Sequence, residues 1–131
     1  MTITVPTHQP TDFLALIRRM GMGDRAALQV LHTALREPIS DRASRALSRA
    51  GDVQAVVDAT FVEAFWMSRF YDPTDVDVLA WMHKIANQRA TERLRLADPP
   101  IRPRHDDEST RLTLHRLLDP ASALGLLSHR P

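Results

Sequence analysis

Apolar residues in this chain recur every three or four positions, and glycine, proline and aspartate cut the runs into short lengths. That rhythm is the period of a helix burying one face, and strand-type alternation is scarce. The spacing predicts a first helix capped by Thr11 or Asp12 and carrying Phe13, Ile17 and Met20, with Gly21 and Gly23 ending it. Asp24 is the expected cap of a second, with Ala27, Leu28, Leu31 and Leu35 on one face and Pro38 as its breaker. Ser40 or Asp41 opens a third, and Gly51-Asp52 a fourth that runs to about Phe70. After the turn Tyr71-Asp72-Pro73-Thr74-Asp75, Asp75 or Asp77 caps the longest helix, Val78 to about Leu96. Pro99, Pro100 and Pro103 form a linker, His105–Glu108 reads as a polar loop, and Ser109 caps a short helix with Leu112, Leu114, Leu117 and Leu118. Pro120 stops that helix, and Ala121–Leu127 forms a last turn or two. The expected fold is all-α: a compact domain of four to five helices over residues 11–97, a flexible lead-in at 1–10, and a proline-rich linker with a C-terminal helical tail at 98–131.

Composition narrows the function classes. At 44% hydrophobic residues the chain can build a core, and no apolar run nears the roughly 20 residues of a membrane span. The N-terminus lacks the pattern of a secretory signal, and there is no cysteine for disulfides, thiolate zinc sites or cysteine nucleophiles, which fits a cytoplasmic protein. The formal charge is only +1, but it is unevenly spread. Between Asp52 and Asp77 six carboxylates face one arginine, whereas Lys84–Arg95 carries four cations and one glutamate. An acidic middle followed by a basic helix points to two different partners. On that helix Lys84, Gln88, Thr91 and Arg95 follow i, i+4, i+7, i+11 spacing and share one outward face, with Asn87 at its border. Arg89 and Arg93 fall nearer the core side, at positions suited to ion pairs.

The order of motifs resembles region 2 of the extracytoplasmic-function sigma factors, across roughly Asp12 to Leu96. Gly23-Asp24-Arg25-Ala26-Ala27 resembles the start of the family's second helix. Thr60-Phe61-Val62-Glu63-Ala64-Phe65-Trp66 resembles its polymerase-core-binding helix, Arg69-Phe70-Tyr71-Asp72-Pro73 its Arg-Phe-Asp-Pro loop, and Trp81–Arg95 its promoter-melting helix. The resemblance implies two faces. Asp58, Val62, Glu63, Trp66 and Arg69 would meet RNA polymerase core. Asp72, Pro73, Thr74, Lys84, Asn87, Gln88, Thr91 and Arg95 would hold minus-ten promoter DNA, where strand capture needs cations for phosphates and planar or polar groups around a flipped base.

Three departures from that family set the alternative. Ala55 and Ala59 stand where the family has polar side chains facing polymerase, which removes acceptors from one or two charge-assisted bonds. The loop Asp72–Asp77 holds three aspartates, and Leu96-Ala97-Asp98-Pro99 follows where the family is more basic. The residues after Asp98 are too few for the family's region 4. The competing expectation is a sigma-shaped interaction module that binds an anti-sigma factor or another regulatory protein without reading a promoter. In that reading the C-terminal leucines offer an apolar stripe if exposed. His105-Asp106-Asp107-Glu108 holds one imidazole and three carboxylates, but adjacent residues do not converge on one ion, so no metal site is expected. No nucleophile motif, phosphate loop or paired-carboxylate pattern is present, so neither a cofactor nor enzymatic activity is expected.

Overall fold

The computed structural model describes residues 12–74, 76–95 and 105–119. Among them lie five α-helices and one 3-10 turn, and no strand, which agrees with the all-α expectation. The helices are α1 (Phe13–Gly21), α2 (Arg25–Ala46), α3 (Ala50–Met67), α4 (Val78–Arg95) and α5 (His105–Leu118), with the 3-10 turn Ser68–Phe70 after α3. The lead-in at 1–10, the prolines at 99–103, the expected cap Asp75 and the last turn at 121–127 lie outside the described residues.

Caps set two of the starts as read from sequence. The Asp12 carboxylate accepts from Ala15 N at 3.1 Å, and Asp24 accepts from the amides of Ala26 and Ala27 at 2.9 and 3.2 Å. These bonds satisfy first-turn donors that have no partner inside the helix. Gly23 takes φ +88°, the left-handed conformation that ends α1 and that a side chain would strain.

Pro38 does not break the second helix. The expected second and third helices are one, and Pro38 sits inside it. A proline there lacks the amide for one helical bond and costs about 3 kcal/mol. Burial opposes that cost: Leu31, Leu35, Ile39 and Ala43 form an unbroken i, i+4 row on the core side, on both flanks of Pro38. Each large apolar side chain so buried contributes about 1.5–3 kcal/mol. Likewise Ser40 and Asp41 lie within α2 rather than opening a helix. Gly51-Asp52 is not a stop and cap either. The helix begins at Ala50 with Arg49 at its cap position and no side-chain cap bond, so Asp52 sits in the first turn, where a carboxylate suits the helix dipole.

α3 is the central element and touches all four other helices. Its buried side includes Val56, Val57, Phe61, Ala64 and Phe65. Phe61 is fully buried, with the His32 ring edge-on at 4.7 Å. Thr60 is buried as well, and its hydroxyl is satisfied by donating to the Val56 carbonyl at 2.7 Å. α4 is capped by Asp77, which accepts from Ala80 N at 2.8 Å. Val78, Met82, Ile85, Ala86 and Ala90 form its core face.

The C-terminal helix departs most from expectation. It begins at His105, so the expected polar loop His105–Glu108 is its first turn. It packs on α3 and α2, and Leu114 and Leu117 join the common core, with Leu118 against it and Leu112 exposed. Arg93 on α4 fastens it. The guanidinium donates to both Asp107 oxygens at 2.9 and 2.7 Å and to Asp52 on α3 at 2.8 Å. One side chain thus joins three helices. No helix of the described residues is long and apolar enough to cross a membrane.

Candidate nucleic-acid interface

The outward face expected on α4 exists. Lys84, Asn87, Gln88, Thr91 and Arg95 are all exposed. They line one open groove of about 770 Å³ together with Arg42 from α2, and with Ala80, His83, Arg89 and Glu92. Neither Lys84 nor Arg95 has a carboxylate within salt-bridge distance among the described residues. The acids nearby are committed elsewhere. Glu92 faces Arg89 at 3.1 Å, and the Asp77 carboxylate caps α4. Among the described residues, Lys84 and Arg95 therefore bring positive charge that no ion pair offsets beside two side-chain amides and a hydroxyl.

Arg93 stands apart from this face and Arg89 borders it, both in the ion pairs their positions suggested. Arg93 is the link to Asp52 and Asp107, whose carboxylates raise its pKa further. Arg89 lies 3.4 Å from Glu63, although its Nε is buried and not aligned for a hydrogen bond.

The expected loop residues are ordered by local bonds. Asp72 Oδ1 accepts from the Thr74 amide at 2.9 Å and the Thr74 hydroxyl at 2.7 Å, closing a turn around Pro73. Those bonds hold the Asp72 carboxyl below its ordinary pKa. All three side chains are exposed. Tyr71 anchors the loop: its hydroxyl donates to the Val76 carbonyl, and its ring lies 5.0 Å from Trp81. A second groove, of about 650 Å³ and mainly apolar, opens among Phe13, Leu14, Tyr71, Pro73 and Leu79. It shares Ala80 and His83 with the cationic groove, so the loop and the α4 face form one continuous surface.

The expected polymerase-facing residues divide. Trp66 is 57% exposed and Arg69 is exposed, while Val62 and Glu63 are half-buried. Asp58 is a correction: it is only 5% exposed, beneath α5. Gln54 Nε2 donates to it at 2.7 Å, and Arg111 of α5 lies 3.7 Å away. Burial dominates these partners and pushes its carboxyl above the usual range. The resemblance implied a polymerase-facing Asp58, and the helix that covers it was expected to be a separate tail.

The surface also holds residues that the motif reading missed. Met67 and Phe70 are exposed beside Trp66, and Met22 is exposed at the end of α1. The approach of these two regions depends on Gly21, where a Cβ would stand 3.2 Å from the Arg69 Cα. Arg42 was missed because it lies on another helix, far from the motif in sequence.

Fold and groove together define an all-α domain with a cationic cleft between two helices and an aromatic surface at the end of a third. In sequence, the chain is 27% identical over 93 residues to the ECF RNA polymerase sigma factor SigK of Mycobacterium ulcerans, which covers 71% of this chain and 50% of that protein. The chain spans about half the length of the curated relative it matches. The match supports a distant sigma-factor-like relationship. No family model and no solved structure matches the chain.

Proposed function

We propose that this chain is a cytoplasmic, non-enzymatic, sigma-factor-like transcription regulator with two working faces. The α4 groove and the Asp72–Thr74 turn hold minus-ten promoter DNA. Val62, Glu63, Trp66 and Arg69 meet RNA polymerase core. The observation that carries the reading is the grouping of Lys84 and Arg95, neither with a carboxylate partner among the described residues, around Asn87, Gln88 and Thr91 in one groove. Cations at the two ends suit a phosphate backbone, and the amides between them suit base edges. The adjoining groove of Phe13, Tyr71 and Pro73 offers an apolar seat for an unstacked base.

Single-stranded promoter DNA is the test ligand. Lys84→Ala with Arg95→Ala is expected to weaken binding and to lower the slope of log affinity against log salt by about 1.4, at roughly 0.7 per lost phosphate contact. An unchanged slope removes the DNA role of this face.

Asp58 favours a second reading, in which the chain is an adaptor. With Asp58 covered and Ala55 and Ala59 apolar, the polar contacts expected toward polymerase are fewer. An anti-sigma factor or another regulator then becomes the partner of the exposed Trp66, Met67 and Phe70. The C-terminal leucine stripe no longer supports that reading, because Leu114 and Leu117 are in the core. Co-elution with polymerase core at physiological salt separates the two: retention favours the regulator, and loss with the fold intact favours the adaptor.

A further inference from the structure

We propose that Arg42 on α2 is a phosphate-binding residue for a nucleic-acid strand lying in the α2–α4 groove, and that His83 positions it. The proposal rests on the reading of α4 as a strand-binding face, and it extends that face across to a second helix.

Arg42 lines the groove from α2, while Lys84, Asn87, Gln88, Thr91 and Arg95 line it from α4. It is half-buried, and no carboxylate lies within salt-bridge distance of it among the described residues. Arg93, also half-buried, has two carboxylates. A guanidinium kept partly out of water without an anion loses solvation and gains little in return, unless a ligand supplies the charge. Its planar fork of donors suits a phosphate with two parallel bonds.

The polar contact the structure gives Arg42 is to an imidazole. Arg42 Nη2 lies 3.4 Å from His83 Nδ1. A neutral imidazole donates through one ring nitrogen and accepts through the other, so the tautomer protonated at Nε2 accepts from Arg42 at Nδ1. Partial burial and the neighbouring arginines favour this neutral form. His83 thus orients the Arg42 guanidinium without neutralising it. Nor do the nearby acids neutralise it, since Glu92 turns to Arg89 and Asp77 caps α4.

Binding of the full chain to a fluorescent oligothymidylate, measured by anisotropy across a salt series, tests the proposal. Arg42→Gln keeps most of the volume and removes the charge. It is expected to cost about tenfold in affinity, the scale of one charge-assisted contact, and to lower the salt slope by about 0.7. His83→Ala is expected to lower affinity while leaving the salt slope close to wild type, because the Arg42 charge remains but is no longer held. His83→Asn, with an acceptor near the Nδ1 position, is expected to recover affinity. Melting curves establish that each variant is folded, and Arg42→Met, which also removes the charge, replaces Arg42→Gln if the latter is not. Wild-type affinity and slope in the Arg42 variant, with both reduced by Lys84→Ala and Arg95→Ala, overturn the role of Arg42 and leave the α4 face standing. No effect from either set, or no binding by wild type, overturns both.

Discussion

Replacing Arg93 by alanine should be among the most destabilising single changes available outside the apolar core. The guanidinium makes three hydrogen bonds of 2.7–2.9 Å to Asp52 and Asp107. Its side chain is 14% exposed and each carboxylate 24% exposed. Breaking a fully buried pair costs about 3–5 kcal/mol, because the surviving charge stays out of water. Here water reaches the carboxylates in part, so about 2–4 kcal/mol is expected. For a chain of this size that corresponds to a fall of roughly 10 °C in melting temperature. Arg93→Lys keeps a cation without the fork and should lose about half as much. Urea denaturation followed by circular dichroism reads the difference, and the m-value adds a second reading. A lower midpoint at constant m means the five helices unfold together, whereas a lower m means α5 has detached beforehand. Adding Asp107→Asn to the Arg93→Ala chain should recover part of the loss, since it removes a carboxylate that the arginine had balanced. An Arg93→Ala chain within about 0.5 kcal/mol of wild type would refute the account of α5 as pinned by charge.

Other predictions follow from the buried ionisable groups. Burial dominates the partners of Asp58 and raises its carboxyl pKa, so the ionised form is disfavoured in the folded state. Asp58→Asn, which still accepts from Gln54, is expected to leave stability at neutral pH unchanged or increased; a loss of more than about 1 kcal/mol would mean the Arg111 contact outweighs desolvation. His32 and His83 are both held below their ordinary pKa, chiefly by burial and secondarily by Arg36 and Arg42 respectively. The unfolded chain therefore takes up protons first as pH falls. The stability these neutral rings contribute is present above about pH 6.5 and declines below it. His32→Gln should flatten the dependence of the urea midpoint between about pH 7 and pH 5, and an unaltered profile would rule His32 out as a source. Asp58 acts in the opposite sense, since its raised pKa favours the folded state on the acid side.

Much of the fold was legible because caps and periodicity agreed. Asp12, Asp24 and Asp77 cap the helices they were expected to cap, and Ala27, Leu28, Leu31 and Leu35 form one buried face. Pro38 was misread because local propensity says nothing of the i, i+4 row from Leu31 to Ala43 that holds the helix through it. The α4 groove residues were legible because they share one helix, where spacing alone fixes direction. Arg42 and the cover over Asp58 were not. Each depends on a contact between chain positions about forty or more residues apart, and short-range pattern carries no information on which helices meet.

The tie at Arg93 also sets an order of events during synthesis. It joins positions 52, 93 and 107, and the helix bearing the last of these supplies Leu114 and Leu117 to the core. On a translating ribosome, four helices can gather before that final segment emerges. Until it does, the side of α3 around Asp58 faces water or whatever nascent-chain factor waits at the tunnel exit. α5 therefore completes this core after the other four helices, and a nascent chain that has emerged only as far as residue 104 would display an incomplete core with a carboxylate at its rim.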